Sequence, residues 1–242
     1  MSPSSVVETN SPVAPAGSRI AKGLFQVGAF FLWFIGSLFL AAGRLDWIRG
    51  WISVALVVVA MPAVGLIAQR YNAPVLEARS KWRRKVTKTF DKVFFATYGP
   101  LISILPALAG LDAGRYHWTS LPFGFVYAGS ILFVLALALI TWVMVVNPFA
   151  EKTVRIQTDR GHRVVTSGPY RWVRHPMYAG ITLLFVSTAL VWGSVWALRL
   201  DAVMAVLIIW RTAMEDRTLR QELPGYEQYA AVTRYRLLPG VW

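Results

Sequence analysis

The sequence predicts an all-α integral membrane protein of about six transmembrane helices, with five as the alternative. Two observations predict it. Apolar residues make up 56% of the 242-residue chain and charged residues only 15%, well under the roughly 25% of a soluble domain. The apolar residues also gather into runs of about 20, the length an α-helix needs to cross the hydrocarbon core. A disordered chain and an ordinary water-soluble enzyme are excluded for most of the length.

Four runs qualify by length and composition: Gly23–Gly43, Trp51–Ala68, Val93–Leu111 and Phe123–Val146. Two shorter runs, Met177–Val191 and Trp196–Trp210, are separated by Trp192, Gly193 and Ser194, which read as a tight turn. If that turn is absent, the pair becomes one long irregular segment. Pro62, Pro100 and Pro106 lie inside spans and are expected to kink them. Trp47, Trp51, Trp118, Trp192 and Trp196 fall at span ends and are expected to anchor in the membrane interface. Residues 1–22, rich in Ser, Pro, Ala and Val, read as a disordered cytoplasmic tail, 23–146 as a four-helix membrane region, and 147–242 as a separate C-terminal region.

Charge sets the expected orientation. The net charge is +13. Of the 25 Lys and Arg residues, all but Arg44, Arg49, Arg115 and Arg199 fall in the N-terminal tail, the segments Arg70–Lys92 and Asn147–Pro176, or the stretch from Arg211 onward. Positive residues concentrate on the cytoplasmic side, so both termini and both long loops are expected there in a multi-pass protein. The same asymmetry explains the basic charge without a nucleic-acid partner. It favours contact with anionic membrane lipids.

Several chemistries are excluded. There is no cysteine, hence no disulfide, thiolate metal site or cysteine nucleophile. Three histidines without ligand spacing argue for no metal. G-x-G-x-x-G, H-E-x-x-H and G-x-S-x-G are absent.

Polar density peaks from Arg155 to Tyr178. Gly168-Pro169 is a turn signal, and Pro176 suits the first position of a helix. Arg174 and His175 then sit at a helix N-terminus, where free N–H groups suit an anion such as a carboxylate. The plainer reading is contact with lipid phosphate at the interface. Further on, Arg211, Glu215 and Leu219 share one helix face, with Asp216 beside them. A simple i,i+4 ion pair is the plain alternative. Near a bilayer, Glu215 could hold a ribose diol or a cation, and Arg211 an anionic group. The stretch Gly225–Tyr229 followed by Arg234–Pro239 is too polar to span, and reads as an interfacial helix capping the site.

These motifs together resemble a known family. GPYRWVRHPMYAG, then the E-D-x-x-L of Glu215–Leu219 and GYEQY, is similar to the isoprenylcysteine carboxyl methyltransferases and to related bacterial phospholipid and thiol methyltransferases. The similarity runs from about Asn147 to Trp242, and Asn72–Arg79 resembles a weaker motif of bacterial members. The resemblance implies a membrane methyltransferase using S-adenosylmethionine in a cytoplasmic pocket of the C-terminal half, with the acceptor arriving from the bilayer. By motif match, Gln157, His162, Val164, Val165, Tyr170, His175, Pro176, Met177, Tyr178 and Glu215 are cofactor-binding positions; Arg174 joins them from its place at the helix N-terminus. Arg211 falls where the family has an arginine tied to substrate, so Arg211 and Glu215 are the candidate catalytic pair. The loop before Val164 needs a gap, and Asp216 replaces the usual second glutamate.

A lipophilic or lipidated acceptor is expected, an isoprenylcysteine-type carboxylate first. A phospholipid amine or a small thiol is the alternative within the class. Two other classes remain: an NADPH-dependent sterol-type reductase, for which Arg160, Arg163 and Arg171 would serve the 2′-phosphate, and a non-enzymatic membrane accessory protein. Nothing in the sequence calls for an obligate protein partner.

Overall fold

The computed structural model describes residues 16–80 and 87–242, with side chains described over 23–79 and from 87 onward. The chain falls into two units, one ending at Gly36 and the other running from Ser37 to Trp242. Seven α-helices and no strand occur among the described residues: α1 (Ala16–Ala42), α2 (Ile48–Ser80), α3 (Thr89–Ala109), α4 (Gly124–Val146), α5 (Pro176–Trp192), α6 (Val195–Glu222) and α7 (Tyr226–Val232). The all-α class follows from composition, and this is an integral membrane protein. Four helical stretches are long and apolar enough to cross a bilayer: Gly23–Ala42, Ile48–Arg79, Thr89–Tyr116 and Gly124–Val146. Helix α5 is apolar but only 17 residues long. Helix α6 has 28 residues, and its polar last third carries Arg211, Glu215 and Asp216.

Helix α1 begins at Ala16, ahead of the expected Gly23 and inside the stretch read as a tail. The rest of that tail, residues 1–15, lies outside the described residues. The expected turn between α5 and α6 is present. Gly193 takes a left-handed conformation (φ 75°), and the Ser194 hydroxyl caps α6 by accepting from the Ala197 N–H at 3.0 Å. Buried Asp112 reinforces that corner, accepting from the Ser194 hydroxyl at 2.6 Å and the Trp196 N–H at 3.2 Å.

Three expectations are corrected by packing. The break in α2 falls at Asn72 (φ −155°, ψ 59°), not at Pro62. Pro74, two residues on, removes a backbone donor, and the Asn72 amide reaches across to the Met144 carbonyl at 2.7 Å. Trp47 and Trp192 are buried in the bundle instead of anchoring in the interface. The Trp192 indole N–H donates to Ser53 Oγ at 3.0 Å, which satisfies its one polar atom away from water. Trp51, Trp118 and Trp196 are exposed, as interfacial anchors require. Helices α4 and α5 pack most closely. A Cβ at Gly129 would lie 2.8 Å from the Ser187 carbonyl, and one at Gly180 would lie 2.7 Å from Ile140. Small residues let membrane helices approach to this distance. The tight α4–α5 pair is the wall against which the C-terminal half assembles.

Candidate active site

A cavity of about 400 Å³ lies at the end of the bundle where α3, α5 and α6 meet the 147–175 segment and α7. This is within the usual range for a small-molecule site. Of the positions singled out from the sequence, Gln157, His162, Val164, Val165, Tyr170, Arg174, His175, Met177, Tyr178, Arg211 and Glu215 all line it. Pro176 does not; it occupies the first turn of α5, where its missing N–H has no cost.

The 147–175 segment is held by side chains, not by regular structure. Buried Gln157 donates its amide to the Phe149 carbonyl at 2.7 Å and accepts from Arg160 at 2.7 Å. Both ends of the Gln157 amide are therefore occupied within the loop. The backbone N–H of Gln157 donates to His162 Nδ1 at 3.3 Å, which places the ring proton on Nε2. Tyr170 accepts at its hydroxyl from Asn147 at 2.6 Å, and its carbonyl accepts from the Tyr229 hydroxyl at 2.8 Å. Val164 and Val165 pack with Met177 and Leu219 around Tyr170, Leu223, Tyr226 and Tyr229, making one apolar wall.

Burial, reinforced by the Arg155 guanidinium, holds the His162 pKa below the ordinary histidine value. Protonation would place a second hydrogen where the Gln157 N–H now points. For a histidine with a lowered folded pKa, the stability contribution is intact above the unfolded value of about 6.5 and falls as pH drops below it. Melting at pH 7.5 and 5.5 should therefore show a larger loss for the native protein than for His162→Gln, which does not titrate. Equal losses would remove His162 as the acid-sensitive group.

Glu215 and Asp216 are adjacent in sequence and differ in surroundings. The side chain of Asp216 is 1% exposed and serves as a hub. It accepts from Arg174 at 2.7 and 3.1 Å, from the Tyr226 hydroxyl at 2.9 Å, from Arg236 at 3.0 Å and from Arg220 at 3.2 Å, with His175 Nε2 at 3.4 Å. Arg174 also donates to the Thr233 and Arg234 carbonyls, both at 2.7 Å. The N–H groups of Arg174 and His175 donate to the carbonyls of Tyr235 and Arg236, both at 2.9 Å. The C-terminal segment thus occupies the donors that the sequence reading offered to an anion, and Arg174 is a clamp between α6 and that segment. Of the stretch read as a cap, Tyr226 and Tyr229 of α7 line the cavity, while residues 233–242 do not.

Glu215 instead faces the cavity, where it accepts from the Tyr178 hydroxyl. The simple i,i+4 ion pair with Arg211 does not form. Arg211 pairs with buried Asp91 of α3 at 2.8 Å and donates to the Lys152 carbonyl at 2.6 Å. Its guanidinium lies 4.6 Å from the Phe94 ring centroid, 5.0 Å from Phe95 and 5.1 Å from Tyr178. Aromatic faces attract a cation, so the charge is held firmly in a low-polarity setting. Asp91 and Asn147 were not anticipated. Asp91 lies at the start of α3, far from Arg211 in sequence, and no local spacing signals the pairing. The Tyr178 ring lies nearly parallel to that of His175, with centroids 5.9 Å apart.

The phospholipid methyltransferase family model matches residues 125–224. Over that stretch the chain is similar to membrane methyltransferases. The match covers α4, α5, α6 and the loop between α4 and α5; that loop, α5 and α6 supply most of the cavity wall, while Arg79, the α3 residues and those of α7 lie outside the match. It agrees with the resemblance carried by the R-H-P-x-Y and E-D-x-x-L motifs and supports an enzyme that transfers methyl groups at a membrane. Among curated proteins, none matches the chain.

Proposed function

We propose that this membrane methyltransferase-like protein transfers a methyl group from S-adenosylmethionine to a lipophilic acceptor that enters from the bilayer. The observation that carries the proposal is Glu215 facing a cavity that is also lined by Phe94, Phe95 and Tyr98 of α3, a helix long and apolar enough to cross a membrane. The lining joins charged and polar side chains to apolar and aromatic ones, which suits a polar cofactor beside a lipid-like acceptor.

The residues present fit the cofactor. The wall of Val164, Val165, Met177 and Leu219 suits a flat base, and Glu215 suits ribose hydroxyls or an ammonium. Gln157, His162, Tyr170, His175 and Tyr178 would complete the enclosure. When bound, S-adenosylmethionine supplies an electrophilic methyl group on a sulfonium. The protein's share is then position and dryness: holding an acceptor in line at about 3–3.5 Å can account for much of the acceleration. Arg211, fixed by Asp91 and three rings, would orient an anionic acceptor, and the same rings exclude water.

A carboxylate acceptor of the isoprenylcysteine type arrives ionised and needs no base. A phospholipid amine would need to lose a proton, and Glu215 is the acid placed to take it. The name of the matching family favours keeping that second acceptor in the screen. We place both termini and the cavity mouth on the cytoplasmic side, with α5 and α6 as fifth and sixth crossings. The distribution of Lys and Arg supports that orientation.

Calorimetric titration of the detergent-purified protein with S-adenosylhomocysteine, and with NADPH in parallel, tests the proposal. Saturable binding of S-adenosylhomocysteine alone is expected. Binding of NADPH alone would move the reductase reading to first place, and binding of neither by folded protein would favour a non-enzymatic role.

A further inference from the structure

The cations around the cavity are not equally balanced. Arg155 is paired with Glu151 at 2.8 Å and Asp159 at 2.7 Å, Arg174 with Asp216, and Arg211 with Asp91. Arg79 is different. It lines the cavity, yet among the described residues no carboxylate lies within ion-pair range. Among the described residues it donates to the Ala150 carbonyl at 2.9 Å. The ionisable groups that act on it are Tyr178, Arg211 and Tyr170, none of them an acid at neutral pH. Lys152 and Arg163 also line the cavity without a carboxylate partner among the described residues; both are exposed, and Lys152 lies within electrostatic reach of Arg79.

The backbone holds Arg79 there. The break at Asn72, tied to the Met144 carbonyl, redirects the last turns of α2, and Val75 and Ala78 are buried. Arg79 then meets the loop at Ala150, beside Lys152. Like charges brought together without an acid repel one another, and a partly buried guanidinium without a counter-ion costs free energy. An arginine so placed is preorganised for a carboxylate or phosphate, whose paired oxygens match its fork of donors.

We propose that Arg79 and Lys152 form an anion subsite of the cavity that takes the carboxylate or phosphate of the lipophilic acceptor. This rests on the methyltransferase reading for the acceptor's identity, though the subsite itself is read from charge and geometry. Arg211 is already neutralised by Asp91, so its role reduces to orientation, while Arg79 supplies the uncompensated charge that selects an anion. The subsite predicts discrimination against neutral acceptors of the same shape.

The test compares N-acetyl-S-farnesylcysteine with its methyl ester, and phosphatidate with diacylglycerol, by thermophoretic binding to the detergent-solubilised full chain. S-adenosylhomocysteine is titrated separately. The anionic member of at least one pair should bind about tenfold more tightly, the factor that 1.4 kcal/mol corresponds to. Arg79→Gln should abolish that preference, Arg79→Lys should retain part of it, and Lys152→Gln, a change at the exposed rim, should weaken it. Affinity for S-adenosylhomocysteine should stay unchanged in all three. Absence of any anion preference in the native protein would overturn the proposal. So would an Arg79→Gln protein that keeps the preference, or one that loses S-adenosylhomocysteine binding instead, which would assign the subsite to the cofactor's carboxylate. Failure of S-adenosylhomocysteine to bind the native protein, with the anion preference intact, would count against the methyltransferase reading and leave the subsite standing.

Discussion

Glu215→Gln is expected to weaken S-adenosylhomocysteine binding by about 10- to 100-fold and to leave the melting temperature nearly unchanged. The reason lies in where the carboxylate points. Glu215 lines the cavity and, among the described residues, accepts from the Tyr178 hydroxyl. Its charge also acts on the Arg211 guanidinium of the same helix, but Asp91 still holds Arg211 when that charge is removed. Glutamine has the same size and can still accept from Tyr178, so the fold should tolerate the change. What it removes is a charged acceptor for the ligand. Hydrogen bonds to charged groups contribute about 1.5–3 kcal/mol, which is the source of the expected range. Titration calorimetry on the variant, with a melting curve from the same preparation, reads both quantities. Retained affinity would show that Glu215 does not hold the ligand. A fall in melting temperature with lost affinity would show that Glu215 is structural.

Asp216→Ala should do the reverse and destabilise the protein by about 3–5 kcal/mol, the usual consequence of removing one partner of a buried ion pair. This carboxylate is 1% exposed and binds three arginines and a tyrosine. Without it, Arg174 is left buried with two backbone carbonyls as its acceptors. The C-terminal segment loses its tie to α6 through Arg236. Any loss of ligand binding should then follow from disorder of the cap, and should be partly restored at low temperature. Thermal melting in detergent, with proteolysis near Arg234 as a second readout, checks this. An Asp216→Ala protein that melts within a degree of the native one would show that the hub carries little stability.

The contrast between these two neighbours illustrates what local sequence can convey. E-D-x-x-L marks the dipeptide as special, and helical geometry sets adjacent residues about 100° apart. Only the packing of α6 against α5, α7 and the C-terminal segment decides that Glu215 faces the cavity and Asp216 the interior. The R-H-P-x-Y motif was legible in the same limited way. Pro176 at the head of α5 follows from backbone chemistry, and His175 and Tyr178 do line the cavity. Arg174 could not be placed correctly, because its partners lie 42 to 60 positions further along the chain. Trp47 and Trp192 were misplaced for a related reason. An aromatic residue at a span end is interfacial by default, unless a neighbouring helix covers it.

By itself the sequence determined the class of solvent, the helical class, the positions of the four long spans and the region that supplies most of the cavity lining. These depend on composition, run length and short-range spacing, which any one segment contains. The tertiary structure decided which charges are already balanced and which face the cavity. Asp91 neutralises Arg211 from across the bundle, and no acid among the described residues does so for Arg79. Pairing between helices depends on how their faces meet, and that arises only when the bundle closes.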